Sequence, residues 1–410
     1  MPEFLNLLPP QDALNILLEN LVVQSRIEEI DTDKSLGRVT AGGIISDHPL
    51  PSFPRSTVDG YAVRAIDTHG ASESLPAFLN VVGEALMGSE PGFSIKSGEC
   101  GLIHTGGMLP QGSDAVVMVE YTQEVRDQEI EIMRSVAVGE NVLKVGEDVS
   151  KGQQVLSPGT VLRPAEIGGL MALGITKVQV VSRPQVGILS TGDEVIPPDR
   201  EIKPGQVRDI NSYTLAALVE ECGAVPVRYG ILIDQFDELM SGMARALAEC
   251  DLVVVTAGSS VSIRDLTAQV INELGRPGVL VHGVNIRPGK PTILAVCDGK
   301  AVIGLSGNPV SGLVNAALFV APVISTLLGI QHSRPRPAIH ASLAINLASQ
   351  AGREDWIPVQ LRQEGDNFLA EPVFGKSNLI FTLVRADGLL RIPPDATGLS
   401  AGETVQVVLL

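Results

Sequence analysis

Aromatic residues are scarce: 9 Phe, 4 Tyr and 1 Trp in 410 residues. Readers of single-stranded nucleic acid stack bases on aromatic faces, so this class is not expected. Positive charge is short as well, with 30 Lys and Arg against 47 Asp and Glu, a formal net charge of −17. A duplex binder needs a basic footprint, so no nucleic-acid partner is expected. The only cysteines, Cys100, Cys222, Cys250 and Cys297, lie far apart without a Cys-x-x-Cys pair. Reduced thiols of a cytoplasmic protein are expected rather than a disulfide framework. The six histidines (48, 69, 104, 282, 332 and 340) never fall at zinc-hydrolase spacing. Neither a Walker phosphate loop nor a Gly-x-Ser-x-Gly elbow is present. The N-terminus lacks the basic start of a signal peptide. Ala301 to Ser333 carries no Asp, Glu, Lys or Arg, but Asn315, Pro322 and Ser325 interrupt its apolar part. A spanning helix needs about 20 continuous apolar residues, so this stretch reads as a buried helix in a soluble core and no membrane is expected.

What is present is ordinary globular material, 44% hydrophobic and 19% charged, which excludes global disorder. At about 150 residues per domain, the length predicts two to four domains. Gln11 to Ile30 has the apolar spacing of an amphipathic helix, with Leu14, Leu17, Leu18, Leu21 and Val22 on one face. Gly37 to Pro184 is a run of short strand-like pieces, among them Phe78–Val82, Ala115–Val119 and Ile130–Met133, and reads as antiparallel, barrel-like β structure. From Pro184 the pattern becomes strand, small-residue loop, helix, four times over. The strands are Val186–Leu189, Val225–Ile233, Leu252–Val255 and Val302–Leu305. Asn211, Asp234, Asp265 and Asn308 stand where helix caps belong, with Pro309 at a first helical position. This is the signature of an open, mostly parallel α/β sheet, whose ligands bind outside the carboxyl ends of the strands. A Pro-rich linker, His332 to Pro337, leads into a small C-terminal β domain.

Glu194, Asp234 and Asp265 follow three separate strands, and in a parallel sheet they share one edge. Such hard oxygen ligands suit Mg²⁺; the two aspartates read equally as plain N-caps. The loops Ser190–Gly192, Thr256–Val261 and Ser306–Asn308 expose backbone N–H groups at helix starts, where oxyanions bind. Arg287-Pro288-Gly289-Lys290-Pro291 is a rigid loop carrying the cations that an acidic chain needs to hold an oxyanion. Asp59-Gly60 and His104 to Gly107 read as polar turns, and Lys144 to Gly152 as a charged one.

These motifs, in this order, resemble the molybdopterin molybdenumtransferases, the molybdenum-insertion enzymes related to the C-terminal domain of gephyrin. The resemblance spans nearly the whole chain. It includes Val58–Arg64, Thr105-Gly106 with Pro110-x-Gly112-x-Asp114, Gly146-Glu147-Asp148, Ser190–Glu194, Asp209–Ser212, Gly230-x-x-x-Asp234, Thr256–Asp265, Pro288–Pro291 and Gly307–Ser311. Four positions depart from the family pattern: Ala257 and Ser262 replace glycines, Ser306 replaces a proline, and Val58 replaces a methionine. The resemblance implies four domains. They are an extended domain (27–45 and 153–183), an inserted β domain (46–152), an α/β domain like molybdopterin adenylyltransferase (7–26 and 184–332), and a C-terminal β-barrel-like domain (333–410). It further implies a homodimer with a site shared between subunits. The implied reaction takes adenylylated molybdopterin and molybdate, with Mg²⁺, and releases AMP. Carried over by motif, Asp59, Thr105, Asp234 and Asp265 are catalytic. Asp148, Gly192, Ser259, Ser260, Pro288, Lys290, Pro291, Ser306, Asn308, Arg353 and Ser377 bind substrate. Glu194, Asp234 and Asp265 hold metal. Molybdopterin adenylyltransferase is a further implied partner. Two alternatives stay open: a scaffold of the same fold that binds molybdopterin with weakened chemistry, and an adenylyltransferase.

Overall fold

The computed structural model describes residues 7–257, 261–331 and 337–410. Ser259 and Ser260, and the expected linker through Arg336, lie outside these residues. The first helix, Pro10–Glu19, is shorter than its apolar pattern. Beyond it Val22 N–H donates to Gly299 O, and Ile27–Asp31 becomes a strand paired antiparallel with Lys177–Val181. A partner strand far along the chain overrides the local helical period. Ala13 and Leu17 are fully buried in the same core as Val186, Leu252 and Phe319, so this helix packs on the α/β sheet.

The strands Ile44–Ile45 and Gln154–Leu156 pair antiparallel. Helix Pro164–Ala172 follows, with Leu162, Leu170, Val178 and Val180 forming a small core beside them. Between these arms lies a six-stranded sheet in the order Ala115–Met118, Gly60–Val63, Glu99–Ile103, Ala77–Ala85, Glu129–Ile132, Thr122–Arg126. It is an open sheet, and Ala77–Ala85 runs parallel to Glu99–Ile103. The barrel-like, all-antiparallel expectation is corrected here: alternation predicts strands but not their partners.

The α/β sheet has the order Val225–Leu232, Gln185–Thr191, Leu252–Ala257, Lys300–Ser306, Ile293–Cys297, Pro277–His282. The first four strands are mutually parallel, and the last two add an antiparallel edge. After Gln185–Thr191 the chain adds a strand on one side and then crosses to the other. This opens a crevice at the carboxyl ends, where doubly wound sheets bind ligands. Several expected caps are corrected. Helix Asn211–Glu221 is capped by Asp209, whose Oδ1 accepts Ser212 N–H at 3.1 Å, not by Asn211. Helix Phe236–Glu249 begins after Gln235, so Asp234 lies outside it. Helix Val261–Leu274 begins four residues before Asp265, which therefore sits in its second turn. Asn308 does stand at the cap position before Pro309, without a side-chain cap bond. The apolar helix Pro309–Leu327 has a mean hydropathy of 1.8, long and apolar enough to cross a membrane, and 61% of it is buried inside the molecule. Phe319, Val320, Val323 and Ile324 are fully buried in the α/β core.

In the C-terminal part, Ala338–Leu343, Asn367–Pro372, Glu354–Glu364, Gly388–Ile392 and Thr404–Leu409 close into a five-stranded barrel, because Glu354–Glu364 pairs on both sides. The short strand Ile286–Arg287 from the α/β part joins this barrel, parallel to Glu354-Asp355. A main-chain ladder thus stitches the two parts together.

Candidate functional site

The stitch creates a cleft of about 860 Å³ between the α/β part and the barrel. Pro288, Lys290, Pro291, Ser306, Asn308, Arg353 and Ser377 all line it. Sequence reasoning took these residues from four separate stretches, and the fold places them on one surface. Four cations, Arg287, Lys290, Arg353 and Lys376, line the cleft against one carboxylate, Asp355. In a chain of net charge −17 this local excess is the feature that lets an anion bind.

The loop of Lys290 is fixed from beneath. Gly289 has φ +99°. A Cβ there would lie 1.8 Å from Asn315 Nδ2, so only glycine fits. Asn315 Nδ2 donates to Gly289 O at 2.9 Å and to Thr292 Oγ1 at 2.7 Å. Across the cleft, Ser377 O accepts Val310 N–H at 3.0 Å, satisfying a first-turn donor of the apolar helix. Asn211, expected as a cap, instead donates from Nδ2 to Gly307 O at 2.9 Å and braces the Ser306–Asn308 loop.

The strand-end acids form a second group. Asp234 has a buried Oδ1 with no hydrogen-bond partner, as has the neighbouring Thr191 Oγ1. Burial pushes the Asp234 carboxyl above its usual range, and the charges of Asp193 and Glu194 push it the same way against the nearby Thr191 hydroxyl. Gly192 turns the chain here at φ +143°, and a Cβ on it would meet Glu194 Oε2 at 2.9 Å. Glu194 and Asp234 are therefore neighbours. Asp265 is exposed and lines a groove of about 450 Å³ with Asn272 and His282. Among the described residues no three of His, Cys, Asp and Glu come close enough to cage a metal.

A third group lies in the N-terminal sheet. Asp59 Oδ1 accepts Thr105 N–H at 2.8 Å and Thr105 Oγ1–H at 3.2 Å. These two bonds, with His104 nearby, hold the exposed Asp59 carboxyl below its usual range, so it stays ionised. Asp148 is exposed on its charged turn, its N–H held by Leu50 O at 3.0 Å. Among the described residues, no hydrogen bond or ion pair joins Asp59, Thr105 or Asp148 to the cleft or to the strand-end acids within one chain.

Sequence reasoning gave no role to three residues that hold these groups. Asp209 is 6% exposed and accepts Ser190 Oγ–H at 3.0 Å as well as both polar groups of Ser212, tying two strand-end loops together. Its spacing to Ser212, three residues on, was a legible capping signal. Asn315 and Asp355 carried no such signal, since only burial marks them.

A mostly parallel α/β sheet with acids at its crevice, facing a β-barrel across a cationic cleft, defines a multidomain class whose cleft charge suits an anion. Three family profiles match in series: "MoeA N-terminal region (domain I and II)" over residues 8–174, "Probable molybdopterin binding domain" over 187–326, and "MoeA C-terminal region (domain IV)" over 340–410. The chain is 33% identical to the molybdopterin molybdenumtransferase of a Nostoc species, over 98% of this chain and 93% of that one. It is 32% identical to the Bacillus subtilis molybdopterin molybdenumtransferase, over 94% and 90%. The crystal structure of a molybdopterin biosynthesis MoeA protein from Pyrococcus horikoshii superposes with a TM-score of 0.81 at 39% identity, covering 98% of this chain and 99% of that one. The chain belongs to the MoeA family of molybdopterin molybdenumtransferases.

Proposed function

We propose that this chain is itself a molybdopterin molybdenumtransferase of the cytoplasm. It takes adenylylated molybdopterin and molybdate, water cleaves the phosphoanhydride, AMP leaves, and molybdenum is bound by the dithiolene sulfurs. The observation that carries the reading is the cationic cleft, which gathers residues from the Pro288–Pro291 loop, the Ser306–Asn308 loop and the barrel. Lys290 and Arg353 neutralise the oxyanion, and Ser377 offers it a hydroxyl. Ser306 and Asn308 belong to the loop that opens the apolar helix, whose backbone N–H groups hold phosphate, and Gly192, Ser259 and Ser260 are assigned to substrate by their motifs alone. The soft ligands for molybdenum come from the substrate, in keeping with a chain whose cysteines are scattered and, in three of four cases, buried.

Asp234, with its unpartnered buried oxygen, and Glu194 beside it fit a hard divalent cation such as Mg²⁺, which takes one or two carboxylates and keeps several waters. When bound, Mg²⁺ would neutralise charge on the phosphoanhydride. Asp265, exposed beside the same sheet edge, orients water or the substrate. Asp59, Thr105 and Asp148 complete the site from the second subunit of a homodimer, which accounts for their separation from the other groups within one chain. The test is to incubate purified protein with adenylylated molybdopterin, Mg²⁺ and molybdate. AMP release and cofactor able to activate an apo-molybdoenzyme are expected. Tight pterin binding with no AMP would make the protein a scaffold instead.

A further inference from the structure

Asp355 is the only acid lining the cationic cleft among the described residues, and it is 2% exposed. Arg353 has five N–H donors. Its Nε and Nη2 donate to Asp355 Oδ1 and Oδ2 at 2.7 and 3.0 Å. Its Nη1 meets only Gln350 Oε1, at 3.4 Å. One edge of the guanidinium is therefore locked and the other is left for a ligand. Asp355 is itself held by Ser349, whose Oγ–H donates to Oδ2 at 2.9 Å. From the neighbouring paired strand, Arg287 Nη1 lies 3.9 Å from the same Oδ2, and the parallel ladder sets Arg287 beside Asp355 in register. One buried carboxylate thus meets two cations, Arg353 just before it in the chain and Arg287 on the paired strand.

We propose that Asp355 is a positioning residue: it fixes Arg353 and Arg287 so that their free N–H edges meet the tetrahedral oxyanion substrate. This deepens the reading above and rests on its placing of the oxyanion in this cleft. The alternative role for a carboxylate here is to lower the local positive potential. The two roles have opposite signs. Loss of a positioning acid loosens oxyanion binding because the guanidinium is no longer preorganised. Loss of an acid that only screens tightens it, because the cleft gains net positive charge.

The experiment is calorimetric titration of the full-length protein with sodium molybdate, alongside steady-state AMP release. Asp355→Asn is expected to weaken molybdate binding by about tenfold, with Asp355→Glu recovering part of it. Ser349→Ala, which removes only the hydroxyl that steadies Asp355, is expected to weaken it less. If Asp355→Asn fails to fold, Ser349→Ala decides the matter. In both, KM for molybdate rises and kcat at saturating molybdate is kept. Unchanged or tighter binding in these variants, while Arg353→Ala loses binding, overturns the positioning role and leaves the cleft reading intact. Binding by Arg353→Ala equal to that of the parent overturns both.

Discussion

At the scale of single residues, Asp234 combines burial, two acidic neighbours and an unpartnered oxygen. Its carboxyl is raised in the folded protein, so the folded state binds this proton more tightly than the unfolded state. The sign follows from linkage: stability is lost as pH climbs from the ordinary carboxylate value through the raised one. Asp234→Asn removes that loss. Without divalent ions, the variant is expected to melt above the parent at pH 7, with the advantage gone by pH 3. Added Mg²⁺ should raise the melting temperature of the parent and leave the variant unmoved. A thermal melt that shows the variant less stable at pH 7, or an equal Mg²⁺ response in both, refutes the assignment. Asp59 has the opposite electrostatics, since two bonds from Thr105 keep an exposed acid ionised. One chain therefore contains an acid pushed toward its neutral form and another held ionised as an acceptor.

At the scale of elements, loops carry most of the candidate site, and side chains from other elements brace them. The Arg287–Pro291 loop is the clearest case, because Asn315 of the apolar helix occupies the space that a Cβ on Gly289 would need. Gly289→Ala meets both a positive φ and this contact. The backbone conformation alone costs about 1–3 kcal/mol. The variant is expected to lose at least that much stability in urea titration and to bind molybdate more weakly, as Lys290 shifts with its loop. Wild-type stability and affinity together would show that the loop has room to move. The same helix fills the α/β core with Phe319 and Val323, so an element apolar enough for a bilayer here serves as both core and brace.

At the scale of the whole molecule, the three groups of site residues lie in different parts of one chain. A homodimer with shared sites would bring the Asp59–Thr105 pair of one subunit to the crevice of the other. Asp59→Asn and Asp265→Asn subunits, co-expressed with different tags and purified as mixed dimers, are then expected to recover part of the AMP-release activity that each parent lacks. Mixed dimers no more active than the parents would place each site within one subunit. The ladder from Ile286-Arg287 to Glu354-Asp355 makes a second point at this scale. It turns two folded units into the two walls of one cleft, so the cationic excess belongs to neither unit alone.

How much of this was legible in the sequence depends on how local the information is. The four parallel α/β strands and their helices follow from hydrophobic runs, Gly stops and Pro309, signals that act within a few residues. So does the rigid Pro288–Pro291 loop, whereas the antiparallel edge strands Pro277–His282 and Ile293–Cys297 were not read. The motif order by itself also pointed to the family that the comparisons show. The helix caps were partly misplaced, because Asp209 and Asn211 both suit a cap and only the geometry chose between them. The strand at Ile27–Asp31 and the parallel pair in the N-terminal sheet depended on partners distant in the chain, whose contact energy outweighs local propensity. Asp355 and Asn315 were invisible in advance for the same reason. A buried polar side chain is defined by what surrounds it, and those surroundings exist only once the barrel has closed against the sheet.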